Sequence, residues 1–243
     1  MTAIGDRAFR GCSTLTSITI PEGLTSIGES AFLGCSNLTS ITILEGVTSI
    51  GDRAFRGCFC LTSVSIPEGV TSIGGWTFYW CLSLTSFSIP EGVTSIGESA
   101  FYYCTGLTSV TIPNSVTCIM DGAFIGCSGL TDVYCYAENV PETNSSAFNS
   151  SNIGQATLHV PASALEQYKA TTPWSDFGTI VALTDEDAIE EVKSEELIVN
   201  NGEEWYDLSG RKIVNSKLSN VQMPSGINII RYADGTSKKV LVK

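Results

Sequence analysis

The line GDRAFRGCSTLTSITIPEGLTSI at Gly5 is followed by GESAFLGCSNLTSITILEGVTSI at Gly28 and returns at Gly51, Gly74 and Gly97, a period of 23 residues that does not slip. Phe9, Phe32, Phe55, Phe78, Phe101 and Phe124 form one register. Cys12, Cys35, Cys58, Cys81, Cys104 and Cys127 form a second, and Leu15, Leu38, Leu61, Leu84, Leu107 and Leu130 a third. One 23-residue coil cannot bury its own apolar face, so a fixed period of this length means that coils stack and share a continuous core. Such a frame offers surface rather than a cleft.

Each coil divides into three parts. Leu15 to Ile20 has the L-x-x-L-x-L form of a leucine-rich repeat strand, with Leu15, Ile18 and Ile20 inward and Ser17 and Thr19 outward. Pro21-Glu22-Gly23 turns the chain, and Leu24 to Gly28 is a second short extended piece. Glu29 to Cys35 suits one helical or 3-10 turn that drops Phe32 into the core. The expected fold is mainly β: a leucine-rich repeat solenoid of stacked parallel strands with short helical or 3-10 turns, plus a small all-β appendage at the C-terminus.

Nine cysteines would suggest disulfides, but the six in register stack about 4.8 Å apart with parallel Cβ directions, which is poor disulfide geometry. They read as a reduced, buried ladder. Cys135 takes the core position of Ile20 and Ile112, whereas Cys60 and Cys118 hold polar positions and are candidate reactive thiols. No CxxC pair or neighbouring histidine accompanies the ladder, so neither a metal centre nor a cofactor is expected.

The repeat decays after Leu130. Ala156 to Pro161 reads as a seventh strand and Ala162 to Ala170 as a helix. Trp174-Ser175-Asp176-Phe177 then leads into Ile180 to Leu183, so residues 153–183 read as a capping coil that closes a solenoid of residues 1–183. Residues 184–196 are acidic and read as a solvated linker. Residues 197–243 alternate as strands do, with turn signals at Asn200-Asn201-Gly202, Ser209-Gly210, Pro224-Ser225-Gly226 and Asp234-Gly235. The chain opens in mid-coil, with neither the basic nor the apolar stretch of a signal peptide, and reads as a piece of a longer array.

The string I-G-x-x-A-F-x-G-C-x-x-L-T-S-I-x-I-P-x-x-V-T-S resembles the BspA-like leucine-rich repeat family of bacterial surface proteins, over residues 1 to about 183. The tail Trp205 to Lys212, with Pro224 to Ile230 and Lys238 to Lys243, is similar to the C-terminal sorting-type domains of Bacteroidetes that serve type IX secretion. The resemblance implies an adhesin, secreted or displayed on the cell surface, with host extracellular matrix or plasma proteins or a partner cell surface as its target. A glycan-binding surface and a purely structural spacer are the rival readings.

Other chemistry is poorly provided for. The formal net charge of -12 disfavours nucleic acid and anionic membranes as partners, and no apolar stretch is long enough to insert in a membrane. The single histidine, His159, falls on a strand where an outward, solvated side chain is expected, and no nucleophile or phosphate-binding motif is present, so no catalytic residue is assigned. The carboxylates form ladders (Glu22, Glu45, Glu68 and Glu91; Asp6, Glu29, Asp52, Glu98 and Asp121) expected to lean into solvent, with weak calcium bridging as the alternative. An outward Ser/Thr array reads as a soluble strand face, with water ordering as the alternative.

Departures from the repeat carry the most information. Trp76 stands in the register of Arg7, Ser30 and Arg53; Tyr79 and Tyr102 in that of Arg10 and Arg56; and Trp80 and Tyr103 in that of Gly11, Gly34 and Gly57. Five aromatics in two adjacent coils are expected to form an exposed apolar patch, the kind of surface that anchors partners. Trp76, Tyr79, Trp80, Tyr102 and Tyr103 are therefore the candidate ligand-binding residues.

Overall fold

The computed structural model describes residues 2–184 in full. Beyond them it describes the backbone of the strands Ile189–Glu191, Leu197–Asn200, Glu204–Asp207, Lys212–Ile213, Gly226–Arg231 and Ser237–Val242. It forms two compact units, Met1–Ala182 and Leu183–Lys243.

The first unit is a mainly β solenoid of about eight turns built on two rows of parallel strands. The L-x-x-L-x-L segments supply the first row, from Ser17–Thr19 in coil one, which begins at Gly5, through Ser40–Thr42, Ser63–Ser65, Ser86–Ser88, Ser109–Ile112 and Asp132–Cys135 to Thr157–Val160 and Thr179–Ala182. The second row runs from Ala3–Ile4 to Glu142–Thr143. Pairing keeps the repeat in step: Ile18 faces Ile41, and Val110 faces Val133. Side chains alternate as in any strand, so Ser40 and Thr42 are exposed while Ile41 between them is buried. Two threonine columns tie coil to coil from outside the core. The Thr39 and Thr62 hydroxyls donate to the Thr16 and Thr39 carbonyls at 3.0 and 3.1 Å, and Thr48 and Thr94 donate to Thr25 and Thr71 at 3.3 Å.

Among the described residues, helix is confined to the closing coil, in Leu165–Ala170 and the 3-10 turns Ile153–Gln155 and Trp174–Asp176. Within the repeats, the segment expected to be a helical turn is a run of linked β-turns. In coil two, Ala31, Leu33 and Cys35 N–H donate back three residues to Gly28, Ser30 and Phe32. The alternate amides of Ser30, Phe32 and Gly34 donate instead to Asp52, Ala54 and Arg56 of the next coil, at 2.8–2.9 Å. Sending every second N–H outward requires a left-handed residue at each end of the run. Arg7, Ser30 and Arg53 occupy one end (φ 58, 56 and 59°) and Gly11, Gly34 and Gly57 the other (φ 74, 75 and 72°).

The core is a set of columns. The phenylalanine rings stack from Phe9 to Phe148 with centroids 5.1–5.5 Å apart. Beside them run the thiols, every cysteine of the described residues being free. Each ladder thiol after Cys12 donates to the carbonyl of the phenylalanine in the preceding coil: Cys35 to Phe9, Cys58 to Phe32, Cys81 to Phe55, Cys104 to Phe78 and Cys127 to Phe101, at 3.1–3.3 Å. Cysteine is small enough for this column and supplies a weak second donor to a carbonyl that already accepts the cysteine amide of its own coil. Burial raises the thiols of Cys35 to about 11 and Cys127 to about 12, and those of Cys58, Cys81 and Cys104 also rise. Cys135 is raised to about 11, chiefly by burial, beside the Tyr168 hydroxyl at 3.1 Å. Because the thiolate is the reactive form, a thiol reagent should modify exposed Cys12 and half-buried Cys60 and Cys118 in the folded protein, and the other six only after unfolding. Mass spectrometry of the labelled chain reads this directly, and early labelling of Cys81 or Cys104 would refute it.

Two expectations are corrected. The carboxylates do not simply lean into solvent: Asp6 and Asp52 accept the Glu29 and Gly75 N–H groups of the next coil at 2.9 Å, and Glu68 accepts that of Glu91 at 3.0 Å. Glu29 pairs with Arg53 at 3.1 Å. A free backbone amide one strand spacing away is a better partner than water. His159 is not a solvated side chain: its Nε2 lies 3.0 Å from Asp132 and its ring stacks on Tyr134 at 4.3 Å, because strand register sets these residues side by side.

In the second unit, Leu197–Asn200, Glu204–Asp207 and Lys212–Ile213 form one antiparallel sheet. Gly226–Arg231 pairs antiparallel with Ser237–Val242, which pairs parallel with Ile189–Glu191. Ile189–Glu191 belongs to the acidic stretch expected to be linker and is strand instead. Most of that stretch (185–188 and 192–196) and the turn signals at 201–203, 208–211, 221–225 and 232–236 lie outside the described residues.

Candidate interaction surface

The five aromatics singled out lie where the β-turn run of coils four (from Gly74) and five (from Gly97) faces outward, but they are not one uniform patch. Three have their ring faces occupied. The Arg53 guanidinium sits 4.5 Å over the Trp76 ring, and that of Arg56 sits 4.7 Å over Tyr79. Tyr79 and Tyr102 stack on each other at 4.6 Å with their planes 1° apart. Trp76, Tyr79 and Tyr102 are accordingly half-buried, which corrects the expectation of five exposed rings. A 23-residue period places equivalent side chains directly above one another, so aromatics in successive coils cover each other's faces.

The exposed part is formed by Trp80 (43% exposed) and Tyr103 (42%), joined by Phe59 (39%) and Leu82 (40%). Phe59 lies 6.5 Å from Trp80, ring centre to ring centre, and Tyr79 braces Trp80 at 5.2 Å as Tyr102 braces Tyr103 at 4.8 Å. Tyr103 also lies across Gly126, where a Cβ would sit 2.6 Å from its ring. The sequence reading missed Phe59 and Leu82, although a signal exists. They follow the ladder cysteine in the column Ser13, Ser36, Phe59, Leu82, Thr105 and Ser128, otherwise wholly polar.

The backbone under these rings is unusual. Trp80 (φ 62°) and Tyr103 (φ 55°) occupy the left-handed position that Gly11, Gly34, Gly57 and Gly126 fill in other coils. A bulky side chain in that region costs about 1–2 kcal/mol, and glycine avoids the cost. Two adjacent coils have thus replaced an unstrained residue by a strained, exposed aromatic.

Among the described residues, no group of three or more His, Cys, Asp or Glu is placed to hold a metal ion, and no helix is long and apolar enough to cross a membrane. The surface is apolar, bordered by Arg53 and Arg56 over Trp76 and Tyr79, and offers contact area rather than reactive groups.

Comparison with known proteins bears on the fold and the family. No curated protein matches the chain. Among solved structures, a leucine-rich repeat protein of T. pallidum is 33% identical, with a TM-score of 0.57 over 58% of this chain and 66% of its own. A leucine-rich cell surface protein from Faecalibacterium prausnitzii is 30% identical, with a TM-score of 0.51 over 87% of this chain and 48% of its own. The pneumococcal vaccine antigen PcpA, 19% identical over 70% of this chain and 42% of its own, shares the fold with a TM-score of 0.59. The chain therefore spans between 42% and 66% of the length of these relatives. No catalytic family is indicated. The model of the BspA type leucine-rich repeat region matches residues 1–105 and 48–169 in six copies, and the chain belongs to that family.

Proposed function

We propose that this chain is a non-enzymatic binding scaffold, secreted or displayed on the cell surface, that grips a protein partner through Phe59, Trp80, Leu82 and Tyr103. Host extracellular matrix or plasma proteins, or proteins of a partner cell, are the expected targets. The tail from residue 197, similar to sorting-type domains, and the Faecalibacterium relative's cell-surface description support an extracellular place. The observation that carries the reading is the left-handed backbone of Trp80 and Tyr103, because strain held at an exposed position points to use rather than to packing. Tyrosine and tryptophan are also the side chains on which interface energy concentrates. A glycan platform is less well served, since sugars need free ring faces and those of Trp76, Tyr79 and Tyr102 are covered.

The test compares the parent with the double variant Trp80→Gly/Tyr103→Gly for binding to immobilised matrix and plasma proteins. Each anchor carries about 2 kcal/mol or more, so the variant, which loses both, should bind about 1,000-fold more weakly or worse. Its stability to urea should change by about 1 kcal/mol or less, because release of the left-handed strain offsets the lost packing. Unchanged binding by the folded variant would remove the patch from the mechanism, and no binding by either form would favour the spacer.

A further inference from the structure

Both rows of strands are interrupted at one seam, along the turn of the solenoid where residues 49–65 lie against residues 72–88: the second row breaks between coils two and three and the first row between coils three and four. Ser63–Ser65 does not pair with Ser86–Ser88, nor Ser49–Ile50 with Ser72–Ile73, although every other neighbouring pair in the two rows does. The amides show the same gap. Thr48, Thr94 and Thr117 N–H each donate to the threonine carbonyl one coil back at 2.9–3.0 Å, and Gly51 and Gly97 donate to Ile27 and Ile73 at 2.8 Å. Thr71 and Gly74, in the same registers, have no such acceptor among the described residues.

The opposite, turn side of the seam is closed. Arg53, Phe55 and Gly57 N–H donate across it to Gly75, Thr77 and Tyr79 at 2.8–3.0 Å. Phe55 stacks on Phe78, and the guanidinium–ring contacts of Arg53 with Trp76 and Arg56 with Tyr79 cross the same seam. The turn side is fully tied, whereas the strand side keeps the Ser83 and Thr85 amides on the Phe59 and Thr62 carbonyls at 3.1 and 3.4 Å and loses the ladder bonds beyond them.

Two buried substitutions in coil four explain the opening. Thr77 stands where Ala8, Ala31, Ala54, Ala100 and Ala123 stand, and its hydroxyl donates to the Gly74 carbonyl at 2.9 Å. In the other coils that carbonyl position accepts the alanine's own N–H. Phe87 stands where Ile18, Ile41, Val64, Val110 and Val133 stand, its ring wedged against Phe78 and Phe101 at 5.0 and 4.8 Å. Extra volume in a close-packed coil must push something aside, and the strand ladders along this turn are what give.

We propose that this seam is a joint built into the solenoid, tied along the turn side and free to open along the strand side, and that it governs the contact surface above it. This consequence rests on the reading of that surface as a binding site: Phe59 belongs to coil three and Trp80 to coil four, so the pair straddles the tied edge about which the joint turns. A partner that engages both holds the joint at one angle, and the joint lets the surface adjust to the partner.

Hydrogen exchange on the whole chain tests the joint with no partner present, so its outcome is independent of whether the patch binds anything. The Thr71 and Gly74 amides should exchange at least about tenfold faster than those of Thr94 and Gly97. Thr77→Ala/Phe87→Val restores the residues of the neighbouring coils and should bring the Thr71 and Gly74 amides to their neighbours' protection. Should the double variant not fold, Thr77→Ala alone reads the same two amides. Equal protection of all four amides in the parent, or exchange at Thr71 and Gly74 that the restored residues leave unchanged, would overturn the proposal.

Discussion

Raised from pH 8 to pH 11 under reducing conditions, the solenoid should unfold within about one pH unit above pH 9. The five ladder thiols Cys35, Cys58, Cys81, Cys104 and Cys127, together with Cys135, are buried, and burial lifts each from the ordinary value of 9.0, to about 11 for Cys35 and Cys135 and higher for the rest. The sign follows from the unfolded chain. Below pH 9 thiols are protonated in both states and stability is flat. Between 9 and 11 the unfolded chain ionises while the folded one does not, so stability falls by about 1.4 kcal/mol per thiol per pH unit. Six such thiols give a slope of about 8 kcal/mol per pH unit, against a total stability of about 5–15 kcal/mol for an ordinary domain. Buried Tyr168, raised mainly by desolvation, adds in the same direction. Circular dichroism against pH reads the transition, and urea titrations between pH 8 and 10 give the slope. The variant Cys81→Ala/Cys104→Ala should lower that slope by about a third. A fold that stands unchanged at pH 11, or a slope the double variant leaves alone, would show that the thiols do not control alkaline stability.

The second large effect is on packing. Phe101→Ala should cost about 3–5 kcal/mol, the range for deleting a buried aromatic ring. Phe101 is fully buried, stacked between Phe78 at 5.3 Å and Phe124 at 5.1 Å, with Phe87 edge-on at 4.8 Å. In a solenoid each coil is held only by its neighbours, so this one ring supports two interfaces. Phe9, stacked on Phe32 alone and only partly buried, should cost clearly less when replaced by alanine. Urea unfolding of the two variants makes the comparison, and a cost below about 1 kcal/mol at Phe101 would contradict a core carried by this column.

The repeat made most of the frame legible before any coordinates. Phe, Cys and Leu registers 23 residues apart can become columns only if coils stack in step, and the paired strands do so. Trp80 and Tyr103 in a glycine register were visible as anomalies for the same reason: a period defines what each position should hold. Phe59 and Leu82 were legible too, but as apolar side chains in a polar column they attract less notice than an aromatic in place of glycine.

What the sequence by itself determined is the period, the identity of the inward columns and the positions that depart from them, because these depend only on spacing. The tertiary structure alone decided the rest. A coil's turn became a chain of β-turns rather than a helix because alternate amides find acceptors in the next coil, partners that a single coil does not contain. Trp76, Tyr79 and Tyr102 lost their free faces to Arg53, Arg56 and one another for the same reason, since stacking lays neighbours in register over one another. The open seam came from Thr77 and Phe87, whose added volume matters only against the coils packed on either side. Spacing along the chain says which residues meet, and only the packed structure says which of their hydrogen bonds and ring faces remain free.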